Sequence, residues 1–148
     1  MGLFSPRPRT VLPPQRVILV ADDDGFSQNL AKLLEDSGFG VDLAVSARMA
    51  GALLERHHDA VVILDLNAQR MHAVEFALSL RGRSPRVPAL AISSMPNLSQ
   101  HCKALGVRHW LAQPFRLGEL LDVLDRLTRR PIPLVTRVTA RGTASPAP

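Results

Sequence analysis

Two kinds of apolar run alternate along the chain between Arg16 and Arg130. Val17-Ile18-Leu19-Val20-Ala21, Ala60-Val61-Val62-Ile63-Leu64 and Ala89-Leu90-Ala91-Ile92 are short, unbroken and aliphatic. Such runs suit strands covered on both faces, as in a parallel sheet. Val41, Leu43 and Val45 alternate with Asp42 and Ala44, which predicts a strand with one less buried face. His109-Trp110-Leu111-Ala112 predicts a fifth strand, shorter and more exposed.

Helical spacing fills the intervals. Phe26, Leu30, Leu33 and Leu34 share one face, closed by Ser37-Gly38; Ala50, Leu53, Leu54 and His57 share another behind Ser46, a good N-cap. Val74, Ala77 and Leu78 predict a third face ending near Gly82, and Leu98, Cys102 and Leu105 a fourth ending at Gly106. Leu117, Leu120, Leu121, Leu124 and Leu127 form the clearest stripe. Successive strand starts lie about 20 to 28 residues apart, room for one helix and two short loops, and parallel strands require such crossovers. The pattern therefore predicts five βα units in an α/β, doubly wound, five-stranded parallel sheet with helices on both faces. Sheets of this class bind ligands beyond the carboxyl ends of their strands.

Charge changes the picture little. The 148 residues carry a formal net charge of +5, which invites a nucleic-acid reading. All acidic residues lie between Arg16 and Arg130, whereas Arg7, Arg9, Arg137 and Arg141 lie outside, so the middle is nearly neutral. Pro6, Pro8, Pro13, Pro14, Pro131, Pro133, Pro146 and Pro148 also fall at the ends. The expected organisation is a flexible Pro/Arg-rich arm at 1–15, one domain at 16–130 and a flexible tail at 131–148. Four scattered arginines without interleaved aromatic residues make no nucleic-acid patch, and no nucleic-acid partner is expected. At 46% hydrophobic and 21% charged residues, wholesale disorder is excluded. No apolar run reaches the roughly 18 residues of a membrane span, and no secretory signal opens the chain. Pro6 stands where a myristoylation signal wants Ser or Thr. A single cysteine, Cys102, cannot form an internal disulfide. The expected setting is cytoplasmic.

The candidate chemistry is acidic. Asp22-Asp23-Asp24 follows the first strand and Asp65 ends the third. If those strands are neighbours, three or four carboxylates meet at one edge of the sheet. Two of them about 4 Å apart repel by roughly 4 kcal/mol at an effective dielectric near 20, so a proton or a cation is needed. Hard oxygen donors and partial hydration favour Mg²⁺. The plainer alternative is solvated loop aspartates, with Asp24 capping the first helix. Other chemistries lack their signatures. His57, His58, His72, His101 and His109 show no metal-ligand spacing, no Gly-x-Ser-x-Gly turn surrounds Ser93 or Ser94, and no Gly-rich loop follows the first strand.

Between about Arg16 and Arg130 the chain resembles the receiver domain of bacterial two-component response regulators. The resemblance rests on four fragments in order: Val17 to Asp24, Val62-Ile63-Leu64-Asp65-Leu66-Asn67, Pro88 to Ser94, and Pro114-Phe115 ahead of the last helix. It implies strand order 2-1-3-4-5 and a Mg²⁺-dependent phosphoacceptor at Asp65, served by a histidine kinase or histidine phosphotransfer protein. It further implies metal ligation by Asp23, Asp65 and the backbone carbonyl of Asn67, with Asp22 acting mainly through water. Ser93 would hydrogen-bond the phosphate and carry the switch. Output would pass from a stand-alone receiver to a downstream protein through the fourth helix, fifth strand and fifth helix, where Trp110 and Arg116 lie. The protein is expected to be a monomer or weak homodimer and no enzyme beyond self-catalysed phosphotransfer and dephosphorylation.

Departures from the family pattern qualify that expectation. Gln113 stands where the family has a lysine, and an amide donates hydrogen bonds without supplying charge. Gln69 replaces a usual proline, His72-Ala73 an Asp-Gly, and Trp110 a switching Tyr or Phe. The alternative is a degenerate receiver acting as a phosphorylation-independent protein-interaction module. A third class is an unrelated flavodoxin-like binding protein or small enzyme.

Overall fold

The computed structural model describes residues 13–68, 72–83 and 86–128. Gln69, Met71 and most of both Pro/Arg-rich ends lie outside the described residues. Strands β1 (Arg16–Val20), β2 (Gly40–Ala44), β3 (Val61–Asp65), β4 (Ala89–Ser93) and β5 (His109–Ala112) alternate with helices α1 (Gly25–Asp36), α2 (Ala47–Arg56), α3 (His72–Leu80), α4 (Leu98–Leu105) and α5 (Leu117–Leu127). The sheet runs β2-β1-β3-β4-β5, and every pairing is parallel. Both the doubly wound architecture and the expected strand order hold.

Successive strand residues point to opposite faces, and the apolar core divides accordingly. Val17, Leu19, Ile63, Leu90 and Ile92 join Leu30 and Leu34 of α1 and Leu120, Leu121 and Leu124 of α5. Ile18, Val20, Val62, Leu64 and Ala91 join α2, α3 and α4 through Ala50, Leu54, Phe76 and Cys102. Strands β1, β3 and β4 are thus covered on both sides, which is why they read as unbroken apolar runs.

Two helices depart from their expected faces. In α3 the buried stripe is Ala73, Phe76 and Ala77, while Leu78 is 47% exposed. Burying a large apolar side chain is worth roughly 1.5–3 kcal/mol, and Phe76 takes the inward position. In α1, Leu30 and Leu34 are buried, but Phe26 and Leu33 stay 43% and 44% exposed. Gln15, expected in the N-terminal arm, is instead buried. Its side-chain amide donates to the Asp59 carbonyl at 2.8 Å, and its own carbonyl accepts the Gly40 N–H. The caps hold: Asp24 accepts the Ser27 N–H at 2.9 Å and Ser46 the Met49 N–H at 3.0 Å. No helix among the described residues is long and apolar enough to cross a membrane.

Candidate functional site

The carboxyl ends of β1, β3, β4 and β5 converge on Asp65. As the last residue of the central strand β3, Asp65 is only 4% exposed. Its Oδ1 accepts the Asn67 N–H at 2.9 Å, and no other hydrogen bond to this carboxylate comes from a described residue. Burial pushes the Asp65 pKa above the ordinary carboxylate value, the Asn67 N–H bond draws it back in part, and the negative charges of Asp24 and Asp22 push it up again. Strands β1 and β3 are neighbours, with Val20 opposite Leu64, so the two acidic segments lie at the same end of the sheet. Within the triplet, however, the roles divide. Asp22 is half-buried, Asp24 caps α1, and Asp23 faces solvent with Oδ1 accepting from Gln28 Nε2 at 2.8 Å.

The remaining expected residues meet through the side chain of Asn67. Ser93, fully buried at the end of β4, donates from Oγ to Asn67 Oδ1 at 2.9 Å and accepts the Met95 N–H at 2.9 Å. The same Asn67 oxygen accepts the Ser94 N–H at 3.2 Å. On its other side Asn67 Nδ2 donates to Gln113 Oε1. Gln113 follows β5, donates its backbone N–H to the Ser93 carbonyl at 2.9 Å, and precedes a cis bond to Pro114. One carboxamide thus ties the ends of β3, β4 and β5 together with neutral hydrogen bonds. Sequence reasoning assigned Asn67 only a backbone role and missed this hub. The available signal was a short amide, two hydroxyls and a second amide at three strand ends.

Asp65 and Asp22 offer hard oxygen donors, and a divalent cation would offset both the burial of the Asp65 charge and the smaller repulsion from Asp24 and Asp22. Among the described residues no three His, Cys, Asp or Glu side chains form a ready cluster. The donor set fits Mg²⁺, which retains several waters and asks for few protein ligands; Asp23 would have to release Gln28 to take part.

Beside the site, Phe26, Leu30 and Leu33 of α1 face Pro114 and Phe115 across a groove of about 540 Å³. Trp110 in β5 is half-buried and packs on the core side shared with α4. Arg116 is exposed at the start of α5, where Glu119 accepts its backbone N–H at 3.1 Å. Cys102 is buried, and desolvation pushes its thiol up to about 11, far from thiolate chemistry.

The model of the response regulator receiver domain family matches residues 17–125. The chain is 30% identical over 122 residues to response regulator MprA of Mycolicibacterium vanbaalenii, covering 81% of this chain and 53% of the relative. To transcriptional regulatory protein TctD of Salmonella typhimurium it is 31% identical over 129 residues, covering 86% and 58%. The chain thus spans about half the length of these curated relatives. Its structure is similar to chemotaxis protein CheY4 of Vibrio cholerae, with a TM-score of 0.66 and 31% identity over 77% of this chain and 98% of that one. It shares its fold with the receiver domain of sensor histidine kinase PA1611 from Pseudomonas aeruginosa, at a TM-score of 0.67, 24% identity, and 77% and 97% coverage. That receiver was solved with a magnesium ion coordinated in its active-site cleft.

Proposed function

The chain belongs to the family of response regulator receiver domains, and we propose that Asp65 is its phosphoacceptor. The observation that carries this reading is the buried Asp65 carboxylate at the end of β3, tethered through Oδ1, among the described residues, by one backbone N–H. Oδ2 is left to attack. In the proposed step, Oδ2 attacks the phosphorus of a phosphohistidine on a histidine kinase or phosphotransfer protein. The P–N bond breaks, the imidazole leaves with the bonding electrons and takes up a proton, and an acyl phosphate forms on Asp65.

Asp23, Asp65 and the Asn67 main-chain carbonyl would hold Mg²⁺, with Asp22 acting through its bound water. Bound there, the ion would neutralise carboxylate charge and stabilise the charge on the transferring phosphoryl group. The chain's own residues do the rest. Ser93 turns its hydroxyl from Asn67 to a phosphoryl oxygen, and Gln113 offers an amide N–H without a charge. The apolar groove between α1 and Pro114-Phe115 reaches Ser94 and Gln113 of the site, which supports docking of the donor there. Output through the α4-β5-α5 face would follow rearrangement of Ser93 and the strand beneath it. The proposed receiver unit is 16–130, acting in the cytoplasm as a signalling domain rather than a turnover enzyme.

A second reading draws on one specific observation. Gln113 brings no charge to the site and is joined to Ser93 through neutral bonds to Asn67, as expected of a receiver that binds its partner irrespective of phosphorylation. Incubation with acetyl phosphate and Mg²⁺ separates the two. Covalent labelling lost in Asp65→Asn supports the phosphoacceptor; a folded but unlabelled wild type supports the degenerate receiver.

A further inference from the structure

The opposite end of the sheet carries a second concave site. A cleft of about 560 Å³ opens where the chain feeds into β4 and β5, rimmed by Arg81, Arg86, Arg108 and His109. Its floor is apolar, with Val87, Val107 and Leu127. Among the described residues no carboxylate lines it. None of the three arginines makes a side-chain hydrogen bond or ion pair with another described residue. Arg81 is seated by its stem, which lies against Gly106 at 3.5 Å from where a Cβ would stand. Gly106 closes α4 in the left-handed region, with φ +78°, so a side chain there is disfavoured by the backbone conformation, while the space above it is just filled by the Arg81 stem.

Cations beside helix C-termini complement the helix dipole, which accounts in part for Arg81 after α3 and Arg108 after α4. It does not account for Arg86, which lies on the segment leading into β4. Three guanidinium groups bring up to fifteen N–H donors to the lining of one concavity, with no acceptor for them among the described residues. Guanidinium forks match phosphate oxygens, and an apolar floor shields a ring from water. The volume of about 560 Å³ falls within the roughly 300–1,000 Å³ of small-molecule sites. We propose that this cleft binds a nucleoside triphosphate, its phosphates on Arg81, Arg86 and Arg108 and its base against Val87 and Val107. The site is independent of phosphoryl transfer at Asp65.

Isothermal titration of the full chain, with EDTA present so that no metal–nucleotide complex forms at the acidic end, tests this. ATP or GTP should bind roughly tenfold more tightly than inorganic triphosphate, the difference being the base. Arg86→Gln and Arg108→Gln should each weaken nucleotide binding by roughly tenfold, and both exposed variants should melt with the wild type. Equal affinity for inorganic triphosphate would overturn the assignment, leaving charge alone. So would tighter binding of a polyglutamate peptide or a short single-stranded oligonucleotide, or no binding by the wild type. Unchanged affinity in both arginine variants would remove the cleft from the interaction.

Discussion

The two ends of the parallel sheet carry opposite charge and pay for it differently. At the carboxyl end, Asp65 is buried beside Asp22 and Asp24, and its charge is disfavoured both by desolvation and by like neighbours. At the amino end, Arg81, Arg86 and Arg108 are exposed, where water screens their repulsion. A buried like-charge group is therefore a stored electrostatic stress, whereas the exposed group is only a latent binding surface. Changes at Asp65 should alter chemistry and stability together; changes at the arginines should alter binding alone.

The strongest way to break the comparison is Asp65→Asn. It removes the buried charge while keeping much of the shape, so phosphoryl labelling should vanish while stability at neutral pH rises. The sign follows from the raised pKa. A carboxyl group whose folded pKa lies above its unfolded value, ordinarily near 3.8, opposes folding when ionised. The penalty is absent below the unfolded pKa and grows as pH rises through the folded one. The stability gap between Asp65→Asn and wild type should therefore be widest at neutral pH and close as the pH falls through the raised pKa. Denaturant melts of both proteins from neutral to acid pH measure it. A gap that stays constant across the range would mean that Asp65 carries no such stress.

Asn67→Ala tests whether the same end is also held by neutral bonds. It leaves the buried Ser93 hydroxyl, which keeps only the Met95 N–H as a donor to it, without an acceptor for its own proton, and removes the Gln113 partner. Leaving a buried polar group unpaired costs about 1–3 kcal/mol, and denaturant unfolding should read a loss of that order. A loss near zero would show that the hub contributes little to holding the strand ends.

How much of this was legible in the sequence follows from the physics of each part. Val17 to Ala21 and Ala60 to Leu64 announce buried strands because burial on both faces leaves no polar position. Asp22 to Asp24 and Asp65 stand out because charge directly after such a run is conspicuous. The face of α3 was read one residue off: Val74, Ala77 and Leu78 fit helical spacing about as well as Ala73, Phe76 and Ala77, and only packing chooses. In α1 the apolar stripe is wider than the core it covers, so Phe26 and Leu33 remain at the groove. The Asn67 hub had no periodic signature, since Asn67, Ser93 and Gln113 meet only once three strands are side by side. The basic cleft was hidden for the same reason, being drawn from the α3–β4 segment and the turn after α4. Gln15 was grouped with its prolines by composition, although its amide is part of the fold.

Gln113→Lys sharpens the contrast by placing a cation at the acidic end. A lysine there would lower the Asp65 pKa and add a charge-assisted bond to a phosphoryl group, worth roughly 1.5–3 kcal/mol. Beryllofluoride with Mg²⁺ should then bind about tenfold more tightly, with a larger change in Trp110 fluorescence. Unchanged affinity would show that the missing charge does not limit the switch.

The smallest expected effect lies at Asp24, which belongs to both sides of the acidic balance. Its carboxylate caps α1 through the Ser27 N–H, and its charge is one cause of the raised Asp65 pKa. Asn keeps the cap and removes the charge, so Asp24→Asn should stabilise the protein slightly, more at low salt than at high, because Asp24 is exposed and its field is screened. Ala removes both, so Asp24→Ala should cost less than the about 1 kcal/mol of an ordinary lost cap. Ser46→Ala supplies that reference, because Ser46 caps α2 with no carboxylate of its own. Thermal melts of the three variants at two salt concentrations resolve the two roles. If Asp24→Ala costs as much as Ser46→Ala at low salt, and Asp24→Asn has no salt-dependent gain, the cap alone accounts for Asp24 and its charge does not reach Asp65.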